Sequence, residues 1–127
     1  NMTINEAISA ADALKPNQYD AAQKRAWLSE LDGRIHRELI LTHAHDAAQE
    51  AFTGYGEDTD EDTALLVPYP FAADVYGWYL QSMIDLANGE SGKYNQSAAQ
   101  FNSAYSQYSG WWHRTHAPLP EASRFLF

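Results

Sequence analysis

The chain has 127 residues, 45% hydrophobic and 13% aromatic, which is enough to bury the core of one globular domain and places it outside the disordered class. It has no cysteine, so disulfides, thiolate metal sites and thiol nucleophiles are excluded. Its formal net charge is -9, the reverse of what a phosphate-binding surface needs.

The charge is unevenly spread. From Glu38 to Gly92 there are eleven acidic residues and no lysine or arginine. No apolar run approaches the ~20 residues needed to cross a bilayer, and the start lacks the basic and apolar regions of a signal peptide. Neither membrane insertion nor secretion is expected, and Asn1 ahead of Met2 reads as an expression remnant.

In chain order, Thr3 with Glu6 forms a capping box, and Ile4, Ala7, Ile8, Ala11 and Leu14 follow at helical spacing, so a first helix runs up to Pro16. Asn17 with Asp20 three places on resembles a second start. Leu28, Leu31, Ile35 and Leu39 make one stripe through a helix that continues across Gly33, where either the axis bends or a neighbour packs closely. Residues 54–70, "GYGEDTDEDTALLVPYP", break the pattern and read as an exposed acidic loop with a short extended stretch at its end. A third helix is expected from about Phe71 to Asn88, closed by Gly89. Its apolar residues circle most of the axis, so it needs cover on more than one side.

The last long helix carries Tyr94, Ala98, Phe101, Tyr105, Tyr108 and Trp112 at alternating steps of four and three, the spacing of a coiled-coil seam. Between Tyr94 and Trp112 there is no charged residue, which suggests that the polar side also meets protein. The tail from about residue 117 to 127 should run extended and lay Phe125, Leu126 and Phe127 on a neighbour or on its own domain. The fold class is thus mainly α: a compact bundle of about four helices in a single domain, residues 2–127. Protein-interface candidates are Tyr94, Phe101, Tyr105, Tyr108, Trp112, Phe125, Leu126 and Phe127, with the seam forming core and its polar side facing partners.

Candidate chemistry is thin. An EF-hand started at Asp58 would put Thr63 where glycine belongs and Tyr69 where the bidentate glutamate belongs, so tight calcium binding is not expected. His43 and His45 point to different helix faces, while His113 and His116 could share one; a zinc site would require both segments to converge. The histidines are read as exposed or helix-end residues, His43 having a helix-dipole rationale. No nucleophile elbow or phosphate-cradling loop occurs, so neither an enzyme nor a cofactor is expected. Glu57, Asp58, Asp60, Glu61 and Asp62 remain as a candidate partner-facing or channel-facing surface.

The segments "WLSELDGRIHRELILTH", "FTGYGEDTDEDTALLVPYP", "WYLQSMIDLANGESGKYNQSAAQFNSAY" and "HRTHAP" resemble small head-to-tail connector, or adaptor, proteins of tailed bacteriophages and prophages of Gram-positive bacteria. The resemblance covers about Thr3 to Pro118. It implies a mostly helical virion subunit that assembles as a ring beneath the portal, extends the DNA channel and receives a tail or stopper protein, without cofactor or chemistry. DNA would pass nearby without sequence-specific binding. Two other readings stand beside it: a small acidic inhibitor or immunity-like module that masks a basic partner, and an enzyme or metal-binding domain using His43, His45, Asp46 and the acidic loop.

Overall fold

The computed structural model describes residues 1–120; the tail candidates Phe125, Leu126 and Phe127 lie outside the described residues. The fold is all-α. Four helices follow in order: α1 (Ile4–Leu14), α2 (Ala21–Ile35), α3 (Ala72–Ala87) and α4 (Ser91–Thr115). Among the described residues no strand forms, and extended backbone pairs only at the isolated bridges Thr3 with Ala64 and His43 with Pro118.

Local chemistry sets the helix ends. Thr3 and Glu6 complete their capping box at 3.0 and 3.1 Å, and Asp20 accepts from the Gln23 N–H at 2.8 Å to start α2. α3 ends in a Schellman turn: Gly89 takes φ 72°, its N–H bonds the Leu86 carbonyl, and the Glu90 N–H bonds the Asp85 carbonyl. That turn is the whole connection to α4, so α3 and α4 form an antiparallel hairpin.

α2 runs unbroken through Gly33, where neighbours pack but leave room for a side chain in ordinary contact. A Cβ there would sit 3.4 Å from the Arg37 guanidinium and 3.7 Å from the Phe52 ring. One turn later the helix widens into a π-helical turn over His36–Ile40, with the Leu41 N–H reaching back to the His36 carbonyl.

One core cluster draws on all four helices and on the stretch before α3. The stripe Leu28, Leu31, Ile35 and Leu39 is buried, as are Val75, Tyr76, Leu80 and Ile84 of α3 and Leu65 and Val67 ahead of it. α3 packs against α1, α2 and α4, which supplies the cover its apolar circumference needs.

The aromatic seam of α4 lies largely in this core, so the interface candidates Phe101, Tyr108 and Trp112 are covered within the chain itself. Phe101, Tyr108 and Trp112 are buried and Tyr94 and Tyr105 half-buried, because α3 and the π turn already cover that edge. Tyr79 meets Phe101 at 5.3 Å between ring centres, Phe71 meets Tyr108 at 5.8 Å, and the Trp112 indole N–H donates to the Leu39 carbonyl at 3.1 Å. The opposite side of α4, including Asn95, Gln96, Gln100, Asn102, Ser103 and Gln107, is exposed and uncharged.

Candidate functional site

All five loop acids, Glu57, Asp58, Asp60, Glu61 and Asp62, are exposed. Their backbone is not a free tether. Two turns close it, Thr59 N–H to the Gly56 carbonyl and Thr63 N–H to the Asp60 carbonyl, and the Asp60 carboxylate accepts from the Asp62 N–H at 2.9 Å. The carbonyls of Thr63 and Glu61 accept from the N–H groups of Ile4 and Asn5 at 3.0 and 2.9 Å. Helix α1 begins there, so its unsatisfied first-turn donors are what hold the loop. The loop is thereby tied to the bundle while its carboxylates face solvent, as its composition leads one to expect.

What anchors the other side is Asp32, an acid the sequence reading did not single out. It is fully buried. One carboxylate oxygen accepts from the Tyr55 hydroxyl at 2.5 Å and the Leu66 N–H at 3.0 Å; the other accepts from the Tyr76 hydroxyl at 2.7 Å. Tyr76 in turn accepts from the Val67 N–H at 2.8 Å. One side chain of α2 therefore fixes the glycine-rich end of the loop, the extended stretch and α3 together. Burial pushes the Asp32 pKa up despite three donors, and burial beside that carboxylate pushes the Tyr55 and Tyr76 hydroxyls well above the ordinary phenol value.

Asp32 left a trace in the sequence. Leu28, Leu31, Asp32, Ile35 and Leu39 follow the i, i+3, i+4, i+7 rule, so an acid occupies an apolar slot. The same reading applies to Lys24, one turn earlier on the stripe. It is buried and donates to Asp12 and to the Tyr19 carbonyl, both at 2.7 Å. Buried Asp85 of α3 is held by Lys15 from the α1 end and by the Ser97 hydroxyl of α4 at 2.8 Å.

The histidines meet expectation in part: His113 and His116 stand at the C-terminal end of α4. His36 and His43 are buried, not exposed. The two histidine segments converge as a pair: His43 Nε2 lies 2.8 Å from His113 Nδ1, and His43 Nδ1 lies 2.8 Å from the Leu39 carbonyl. A ring nitrogen facing a carbonyl must donate, so neutral His43 carries its proton on Nδ1 and accepts from His113. His116 stacks on Trp112 at 3.5 Å, and His45 pairs with exposed Glu50, whose hydrogen bond raises the imidazole pKa. Among the described residues no three histidine, aspartate or glutamate side chains are grouped so as to hold a metal ion. The imidazoles pin the π turn, α4 and the segment after it, which runs beside residues 42–44 through Ala44 N–H to Ala117 and Leu119 N–H to Thr42.

Of the surfaces singled out in the sequence, two are accessible among the described residues: the acid-bearing loop at the N-terminal end of α1, and the uncharged side of α4. No family model, curated protein or solved structure matches the chain.

Proposed function

We propose that this chain is a head-to-tail connector subunit of a tailed bacteriophage, made in the bacterial host and incorporated in the virion as a ring under the portal. The ring extends the DNA channel and receives the tail or stopper protein. The observation that carries the reading is the long uncharged, exposed side of α4 in a chain of net charge -9. A helix side exposed only to water ordinarily carries charge, whereas the centre of a protein interface is depleted of it. The resemblance of the loop and helix segments to connectors points the same way. Loop carboxylates that line or flank the channel would let DNA slide, since phosphates meet no cations there.

The test is native mass spectrometry and electron microscopy of the protein mixed with the portal protein encoded beside it. A ring or a portal-bound assembly is the expected result. Absence of either at every concentration would remove the reading. The second reading, an acidic module that masks a basic protein, is favoured by one observation: five exposed carboxylates on a loop whose backbone is already fixed. It predicts a one-to-one complex that weakens with salt.

A further inference from the structure

A groove runs along the solvent side of α3 and α4. Three adjoining clefts of about 480, 360 and 250 Å³ meet at Trp78, which stands in the wall of each. From α4 come Gln96, Gln100, Ser103 and Gln107, spaced four, three and four apart and so aligned as one stripe. From α3 comes Gln81, and Leu14 at the end of α1, 72% exposed, borders the groove. Trp27, Trp111 and Trp112 each pack against an aromatic ring; Trp78 has no aromatic neighbour among the described residues. Neither its indole N–H nor the amides of Gln81, Gln96, Gln100 and Gln107 bond another described residue.

We propose that this groove is the surface on which a second copy of the chain docks, with Trp78 at its centre. The inference rests on the self-association of the preceding reading and specifies one two-fold contact within it, since a face that meets its own copy makes a pair and a ring closes through head-to-tail faces. Charge selects the occupant. Two chains of net charge -9 repel, so they can meet closely only where charge is absent or already neutralised. Here Lys15 is paired with Asp85 and Lys93 with Glu90, which leaves Asp74 as the one charge on the groove walls with no ion-pair partner among the described residues. An acidic partner finds no free cation in it, and a basic partner finds far more charge on the loop. Glutamine carries both a donor and an acceptor, so a stripe of amides is complementary to itself, as a stripe of like charges is not. A half-buried tryptophan ringed by uncharged polar groups has the make-up of an interface hot spot.

The test uses two triple variants of the full chain, Gln96→Glu/Gln100→Glu/Gln107→Glu and Gln96→Lys/Gln100→Lys/Gln107→Lys. All three positions are exposed on α4 and both replacements are good helix formers, so folding, checked by circular dichroism, should persist. In analytical ultracentrifugation the wild type should associate with rising concentration. Each variant alone should associate at least about tenfold more weakly, and an equimolar mixture of the two should recover the association. Trp78→Ala should weaken it to a similar degree. If the wild type associates and the glutamate variant does so equally well, or if the mixture stays apart, the groove is not the face although self-assembly stands. A wild type that remains monomeric at its highest soluble concentration would remove the inference, and the connector reading, in which the ring can form on the portal alone, would then rest on the portal mixture.

Discussion

Asp32 and the acids of residues 57–62 carry the same functional group under opposite conditions. Asp32 has no exposed surface and three hydrogen-bond donors directed at it from residues 55, 66 and 76. The loop acids face water, and what fixes their segment is chiefly backbone: the carbonyls of Glu61 and Thr63 and the turns around them. In the first region the carboxylate is the structural tie. In the second the peptide group is the tie and the carboxylate is left over for the surroundings. A chain with this many acids thus uses one of them to build the loop's base and presents five others on its rim.

Removing the buried member should produce the largest effect. Asp32→Ala strands the Tyr55 and Tyr76 hydroxyls and the Leu66 N–H together, and each buried donor left without a partner costs about 1–3 kcal/mol. A domain of this size is stable by roughly 5–15 kcal/mol, so the variant should unfold at much lower denaturant, loop and helices together. Urea titration followed by far-ultraviolet circular dichroism measures it. A loss below about 1 kcal/mol would mean that water replaces the carboxylate at little cost and that the contrast with the loop is false.

Much of the backbone course was legible because its causes are local. Thr3 with Glu6, Gly89 and the stripe through Leu28, Leu31, Ile35 and Leu39 each act within one or two helical turns, and each stands where spacing placed it, while the second start, read as Asn17 with Asp20, falls at Asp20 itself. Partners from distant segments were not legible. Asp32 meets groups 23, 34 and 44 residues away, and His43 meets a ring 70 residues away. The one local trace of Asp32 is an acid in an apolar slot of a helix stripe. The seam of α4 shows a different limit. Its spacing defines an edge but not what covers it, so Phe101, Tyr108 and Trp112 read equally well as core or as interface until α3 is seen lying on them. Trp78 escaped notice for the converse reason: on a helix apolar nearly all round, periodicity does not tell which residue is left at the surface.

A smaller effect, with a sign fixed by linkage, sharpens the contrast. The pKa of Asp32 is raised in the folded state by burial, so its contribution to stability is fully present below the ordinary carboxylate value and is lost as pH rises through the raised one. Asp32→Asn removes this titration. The stability of wild type relative to Asp32→Asn should therefore be greatest in acid and should fall as pH climbs toward neutrality. Denaturation midpoints of the two proteins across that interval give the difference directly. A difference that is flat, or that grows with pH, would mean that the three donors outweigh burial and that the carboxylate is held as an anion.

The smallest effect on folding is expected at the loop, and its smallness carries information. In the variant Glu57→Gln/Asp58→Asn/Asp60→Asn/Glu61→Gln/Asp62→Asn the carbonyls that receive Ile4 and Asn5 are untouched, and asparagine at residue 60 can still accept from the residue 62 N–H. Two electrostatic changes oppose each other. The N-terminal end of α1 loses nearby negative charge, which destabilises by a few tenths of a kcal/mol per charge within its first turn, while five like charges on six consecutive residues cease to repel. The net change in stability should stay within about 1 kcal/mol, measured by the same urea titration. Function should respond far more than folding. If the acids mask a basic protein, the variant should lose a salt-sensitive complex; if they flank a channel, it should still assemble with the portal but retain DNA that the wild type lets pass. A loss of several kcal/mol in folding would show instead that the carboxylates themselves hold the loop, and the division of labour between Asp32 and its exposed counterparts would no longer stand.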